Sequence, residues 1–98
     1  MIKLNKNKLE KAAYILKTIA HPTRLSIIHL LEENDRMSVN ELCSVLGCEQ
    51  SLVSHRLSNM RIKGLLKSER EGINIYYSLK EKELAKIVAV IEHCHCNM

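Results

Sequence analysis

The segment of residues 38–63 constrains the fold of this chain more than any other stretch. It opens with Ser38-Val39-Asn40-Glu41, where a serine is followed three residues later by a glutamate. In such a capping box, the serine hydroxyl and the glutamate carboxylate satisfy backbone N–H groups that a helix start leaves unpaired. Gly47 follows a short apolar stretch, and a glycine there permits the left-handed conformation of a sharp turn. The pattern predicts a short helix, a glycine turn and a second helix, which is a helix-turn-helix.

Two further helices are predicted before this segment. Apolar residues recur at helical spacing over residues 9–20 and again over residues 25–31. Pro22 lies between the two stretches and fits the first turn of a helix, because its missing N–H would have no partner there. We therefore expect one helix to end and another to begin at His21-Pro22-Thr23.

A change of period after Leu66 predicts a small hairpin. Residues 66–70 and 73–78 have strand-like patterns and are joined at Glu71-Gly72. A last helix follows, with apolar residues on one face from Leu84 onward. The expected fold is mainly α with a small β-hairpin: four helices, two strands and a fifth helix, forming a winged helix-turn-helix in a single domain over residues 1–98.

Composition restricts the core and the class of protein. The 98 residues include no Phe or Trp, so an aliphatic core of packed helices is expected. No stretch has the pattern of a signal peptide or membrane span, and the four cysteines are therefore expected to be free thiols in a cytoplasmic protein. No Gly-rich phosphate loop or Ser/His/Asp constellation is evident, so no enzyme is predicted. The net charge of +4 is informative only if the cations gather around a motif.

The second helix of the helix-turn-helix is the predicted DNA-contacting element. A helix that enters the major groove needs small or polar side chains on its outer surface, so that it can approach the base edges. The alternative is a solvated helix face on a protein-interaction module, but the order of capping box, glycine turn, Ser-rich helix and basic hairpin favours DNA. The residues expected to contact DNA are Gln50, Ser51, Ser54, His55, Arg56, Ser58, Asn59, Arg61 and Lys63 on the helix, and Lys67, Arg70 and Asn74 on the hairpin.

Several motifs, taken in order, resemble the ArsR/SmtB family of repressors. They are Ala20-His21-Pro22-Thr23-Arg24-Leu25, Val39-Asn40-Glu41-Leu42, Ser51-Leu52-Val53-Ser54-His55-Arg56-Leu57, Gly64-Leu65-Leu66 and Gly72-Ile73-Asn74-Ile75-Tyr76-Tyr77-Ser78-Leu79. The resemblance covers roughly residues 9–92. It implies a homodimer held by the first and last helices, a recognition helix over residues 50–63, a palindromic double-stranded operator, and release from DNA by a metal ion or thiol chemistry. One departure is Glu49, where relatives often carry a Ser or Thr that caps the recognition helix.

The run His93-Cys94-His95-Cys96 is the candidate sensing element. Its donors suit Zn(II), Cu(I) or a trivalent metalloid, so a soft metal ion is the expected cofactor if there is one. An inert chain terminus is the alternative. The resemblance adds His29 as a candidate, since some thiol-sensing relatives carry a cysteine there, paired with one that aligns at Cys96; a core-edge histidine is the alternative for this residue.

The zinc site that the family carries in its last helix is not expected here in its usual form. The family's last-helix zinc site falls here on Glu81, Glu83, Cys94 and Asn97, a poor set of ligands for zinc. The alternative for the two carboxylates is a favourable position near the helix N-terminus. Cys43 and Cys48 are expected to be small core residues.

Overall fold

The computed structural model describes residues 3–94 and contains five helices and three strands. In chain order they are α1 (Lys6–Ile19), α2 (Pro22–Glu33), β1 (Met37–Ser38), α3 (Val39–Leu46), α4 (Gln50–Ile62), β2 (Leu66–Glu71), β3 (Asn74–Leu79) and α5 (Glu83–Glu92). The predicted order of four helices, a hairpin and a fifth helix is confirmed. Strand β1 is an addition, because a two-residue strand is too short to display an alternating pattern.

The caps that the sequence indicates are present. The Ser38 Oγ accepts a hydrogen bond from the Glu41 N–H at 3.1 Å, and the Glu41 carboxylate accepts one from the Ser38 N–H at 2.9 Å. Gly47 ends α3 with a φ of +66°, in the left-handed region that a residue with a Cβ adopts at a cost. The helix-turn-helix is thus formed by α3 and α4, as predicted.

The three strands form one antiparallel sheet in the order β1-β3-β2. Glu71 pairs with Asn74, so the turn consists of Gly72 and Ile73 and not of Glu71 and Gly72 as predicted. The difference follows from Gly72, whose φ of +62° places it at the first central position of a two-residue turn. Met37 of β1 pairs with Tyr77, which joins the hairpin to the start of α3.

The core lies between α2, α3 and α4 on one side and the sheet and α5 on the other. It is aliphatic, as expected from the composition; its largest fully buried side chains are Ile27, Ile28, Leu31, Leu42, Val53, Leu57, Met60 and Leu66. Two apolar residues of the helix-turn-helix are uncovered: Val45 is 61% exposed, and Leu52, which helical spacing predicts to face inward with Val53, Leu57 and Met60, is 40% exposed. Both lie at the border of an apolar helix face, and the other elements cover a narrower stripe than the sequence pattern suggests.

The first and last helices leave apolar side chains uncovered. Leu9 and Leu16 of α1 and Val90 and Ile91 of α5 are exposed, and Thr18 and Ile19 are the buried residues of α1. The radius of gyration is 14.9 Å, whereas a compact chain of this length would have about 13 Å. Within the described residues, no helix is both long and apolar enough to cross a membrane.

Candidate nucleic-acid interface

Helix α4 presents a polar side to solvent. Val53, Leu57 and Met60 form its buried side. At 100° per residue, the opposite side carries Ser51, His55 and Ser58, with Gln50, Ser54 and Arg61 beside them. Gln50, Ser51, His55 and Arg61 are exposed, and Ser54 and Ser58 are half-buried. Apart from Ile62, this side carries short or polar side chains, and it is exposed enough for a DNA duplex to reach it.

Ile62 is an exposed residue of α4 that the sequence analysis missed. It is 74% exposed and lies on the same side as His55. The helical spacing places Ile62 opposite Val53, Leu57 and Met60, so its exposure could have been predicted from the sequence. Apolar side chains can contact the methyl group of thymine in the major groove.

Arg56, Asn59 and Lys63 lie toward the other flank of α4, facing the junction of α1 and α2. The Arg56 Nη2 is 3.4 Å from the His21 Nε2, and the Lys63 Nζ is 5.8 Å from the centre of the Tyr14 ring. Within residues 3–94, the buried Arg56 Nε and Asn59 Oδ1 have no hydrogen-bond partner. The structure therefore divides the predicted DNA-contacting residues of α4 between an outer side and an inner flank.

The contact between His21 and Arg56 joins two hydrogen-bond donors when the imidazole is neutral. The His21 Nδ1 accepts from the Thr23 N–H at 3.1 Å and so caps α2. A neutral imidazole with an accepting Nδ1 carries its proton on Nε2, and guanidinium nitrogens are donors only. Arg56 therefore gains no acceptor from His21. This flank of α4 is cationic because it carries Arg56 and Lys63.

Glu49 precedes α4 without capping it. It occupies the N-cap position in an extended conformation, and its side chain makes no capping hydrogen bond. Glu49, which the sequence analysis noted as a departure, therefore supplies no side-chain cap to α4. The first N–H groups of α4 lack a side-chain acceptor from the N-cap residue, and helix N-termini of this kind favour anions.

The predicted residues of the hairpin lie on two different faces. Side chains alternate along a strand, so Lys67 shares one face of β2 with Glu69 and Glu71, whereas Arg70 points to the other face. Asn74 is paired with Glu71 and lies on the face of Lys67. The Arg70 Nε donates to the Gly72 carbonyl at 3.3 Å, which holds this side chain beside the turn.

Arg36 is a second residue that the sequence analysis missed. Its guanidinium donates two hydrogen bonds to the Glu71 carboxylate, at 2.8 and 3.1 Å, and lies 3.4 Å from a Glu69 oxygen. It also lies 4.4 Å above the centre of the Tyr76 ring. The hydrogen bonds and charge of Arg36 lower the pKa of Glu71. No sequence signal links Arg36 to Glu71, because the contact depends on the unpredicted strand β1.

The candidate sensing residues are only partly described. His29 is exposed on α2; its Nε2 is 2.7 Å from a Glu33 oxygen, and its Nδ1 is 3.6 Å from a Glu92 oxygen of α5. His93 ends α5, and Cys94 is an exposed free thiol. His95 and Cys96 lie outside the described residues. Cys43 and Cys48 are partly buried against the core, in agreement with the prediction.

The described residues do not form a metal centre. Among residues 3–94, no three His, Cys, Asp or Glu side chains are grouped so that they could hold a metal ion. The carboxylate of Glu83 pairs instead with Lys86 of the same helix at 3.0 Å. A metal site built from these residues alone therefore does not fit the structure.

A helix-turn-helix with an open second helix, followed by a β-hairpin joined to the same domain core, defines the winged helix-turn-helix class of DNA-binding proteins. The family model described as "Bacterial regulatory protein, arsR family" matches residues 21–68. Together with the relatives below, this match shows that the chain belongs to the arsR family of bacterial regulatory proteins.

Similar proteins match over most of their lengths. The HTH-type transcriptional regulator YgaV of Escherichia coli is 36% identical over 87 residues, which are 89% of this chain and 88% of YgaV. The transcriptional repressor PagR of Bacillus anthracis is 37% identical over 89 residues, covering 91% of this chain and 89% of PagR. Both are named as transcriptional regulators, which is a non-enzymatic role.

Solved structures of relatives have the same fold. The crystal structure of PagR aligns with a TM-score of 0.78 over 89% of this chain and 99% of that chain. The structure of HlyU from Vibrio cholerae aligns with a TM-score of 0.81 at 32% identity, over 96% of this chain and 100% of that chain. HlyU is named a transcriptional activator, so the relatives include regulators of both signs.

Proposed function

We propose that the protein is a sequence-specific DNA-binding repressor that acts as a homodimer on a palindromic operator. The observation that carries the proposal is the open polar side of α4, which follows the glycine turn of a helix-turn-helix and precedes a basic hairpin in a chain of the arsR family. Serine hydroxyls suit phosphates or bases, and the Gln50 amide suits adenine. Arg61 adds a cation at the same side.

The uncovered apolar residues support the homodimer. Leu9 and Leu16 on α1 and Val90 and Ile91 on α5 would be covered if two copies packed through these helices. A two-fold axis would then direct the two α4 helices at one duplex. The half-sites should be separated by one helical turn of DNA, about 34 Å, or a multiple of it.

The proposal is tested by selecting a duplex from a random pool and measuring its affinity by fluorescence anisotropy at several salt concentrations. We expect a palindromic site and an affinity that falls steeply with salt, because each neutralised phosphate releases counterions. His55→Ala on the open side should weaken binding about tenfold, in the range of a lost base contact. Ser44→Ala, at an exposed position of α3, is the matched control and should bind like the wild-type protein.

The alternative function is a protein-interaction module with the same fold. It predicts neither a selected sequence nor a salt-dependent affinity, and indifference to His55→Ala. A reporter gene carrying the selected site tests the sign of regulation. Expression that rises when the regulator is deleted supports repression, and expression that falls contradicts it.

We further propose that modification of the C-terminal Cys/His run releases the protein from DNA. Support comes from the exposed thiol of Cys94 and from His29, which bridges α2 to α5 through Glu92. A thiol reaction next to the end of α5 would act on a helix that contacts α2 and, in the proposed dimer, the second copy. A soft metal ion or metalloid remains an inducer to be tested, with ligands that would have to include residues beyond those described.

The inducer is identified by adding Zn(II), Cu(I), arsenite or a persulfide donor to the protein–DNA complex. We expect at least one of them to weaken binding about 5-fold to 150-fold, the usual range of such coupling. Cys94→Ser/Cys96→Ser should abolish this response, whereas Cys43→Ser should retain it. A doubly substituted protein that responds like the parent would exclude the C-terminal run as the sensor.

A further inference from the structure

We propose that Arg36 is a positioning residue for DNA binding, which holds the wing hairpin (β2 and β3) in place and compensates its acidic charge. The inference rests on the proposed function and adds a residue that lies outside both α4 and the hairpin. Arg36 lies in the connection between α2 and β1. Its side chain reaches the far end of β2, where Glu71 directly precedes the turn.

The backbone around Arg36 aims its side chain at the hairpin. Asp35 adopts a left-handed conformation with a φ of +42°, and the Arg36 N–H donates to the Asn34 carbonyl. The next residue, Met37, is fixed in the sheet opposite Tyr77. Arg36 is thus anchored on both sides, which lowers the conformational entropy that its ion pair must overcome.

The contact is stronger than an isolated surface ion pair. Exposed ion pairs contribute little on their own, but planar two-bond pairing between a guanidinium and a carboxylate adds geometric specificity. The Glu69 oxygen at 3.4 Å and the Tyr76 ring at 4.4 Å contact the same guanidinium. Three side chains of the hairpin therefore converge on one cation that belongs to the body of the protein.

The same contact changes the charge that the hairpin offers to DNA. Strand β2 carries Lys67 and Arg70 but also Glu69 and Glu71, so its four charges cancel. Two uncompensated carboxylates next to Lys67 and Asn74 would repel phosphates. With Arg36 paired to these carboxylates, the five charges sum to +1, and the two carboxylates repel phosphates less.

The experiment compares three variants in two measurements. Arg36→Gln removes the cation, Arg36→Glu/Glu71→Arg reverses the pair, and Lys86→Gln is a control that loses an exposed cation of α5. Hydrogen exchange of the hairpin amides in the free protein measures how firmly the hairpin is held. Fluorescence anisotropy on the selected duplex measures DNA binding. Arg36→Gln should speed exchange near Gly72 and weaken DNA binding about tenfold. The reversed pair should restore both within about threefold, and Lys86→Gln should change neither.

Each contrary result has a distinct meaning. Unchanged exchange and affinity in Arg36→Gln would overturn the proposal. A weakened affinity with unchanged exchange, not restored by the reversed pair, would also overturn it, since Arg36 would then contact DNA directly. If the wild-type protein binds no duplex, the proposed function fails, and this failure is visible without any variant.

Discussion

Ser38 and Glu41 show how two side chains fix the position of the helix proposed to contact DNA. Their reciprocal hydrogen bonds set the first residue of α3, and α3 in turn sets the turn at Gly47 and the start of α4. The hydrogen bond from the Ser38 N–H lowers the pKa of Glu41, helped by the Ser38 side chain. Folding therefore favours the ionised form of the Glu41 carboxyl group.

The first prediction concerns the pH dependence of this cap. A carboxyl group whose pKa is lower in the folded state adds stability above its ordinary pKa of 4.5 and loses it as the pH falls through the folded-state value. Glu41→Gln keeps an oxygen that can accept the same hydrogen bond but cannot ionise. Urea unfolding should show wild-type protein more stable than Glu41→Gln at pH 7, with the difference shrinking at pH 3.5. An equal difference at both pH values would contradict this account.

Single residues also show which features can be predicted from the sequence and which cannot. The capping box, Pro22 and Gly47 were predicted because their effects are local and act within four residues of the chain. The contact of Arg36 with Glu71 spans 35 residues, and no local pattern encodes it. The contacts of Arg56 with His21 and of Lys63 with Tyr14 could not be predicted from the sequence either, because they depend on where α1 and His21 lie relative to α4.

At the scale of elements, the sequence predicts the presence of helices better than it predicts the end residues of elements or the pairing of strands. The recognition helix predicted over residues 50–63 is observed at Gln50–Ile62, and both strands of the hairpin are present, shifted by about one residue. Long periodic stretches average over many side chains, so one exception does not alter the assignment. Strand β1 and the hairpin turn depend instead on one or two residues, and the pairing partner decides them.

The second prediction concerns the turn between α3 and α4. Gly47 has a φ of +66°, and a Cβ added there would meet no atom within 4 Å. Gly47→Ala should therefore cost backbone strain alone, about 1 kcal/mol in the free energy of unfolding. Gly47→Asn is the control, since asparagine tolerates the left-handed region better and should cost less. Chemical denaturation measures both, and an Ala variant as stable as the wild-type protein would refute the assignment of strain.

At the scale of the whole molecule, the two terminal helices, α1 and α5, leave large apolar side chains exposed to solvent. Val90 is 71% exposed and Leu9 is 57% exposed, and the chain is more extended than a compact one of its length. Burying such side chains between two copies supplies a favourable free energy of about 25 cal/mol for each Å² of apolar surface removed from water. The proposed pairing through the first and last helices would account for this exposure.

The third prediction concerns this pairing. Val90→Asp places a charge among the exposed apolar residues of α5 without touching the core, so the monomer should keep its helical circular dichroism. Sedimentation should show monomer in place of dimer, and affinity for the palindromic duplex should fall at least tenfold, since one copy cannot engage two half-sites. Ala89→Asp, at an exposed position on a different side of α5, is the control and should remain dimeric. A Val90→Asp protein that still sediments as a dimer would place the interface elsewhere.

The uncovered apolar sides of α1 and α5 also bear on how promoter occupancy depends on the concentration of this regulator. If these sides are covered only in pairs, scarce chains remain single, and the number of assembled pairs rises with the square of chain abundance. A twofold change in synthesis would then change promoter occupancy up to fourfold. Gene dosage and translation rate would then change promoter occupancy, in addition to any chemical signal.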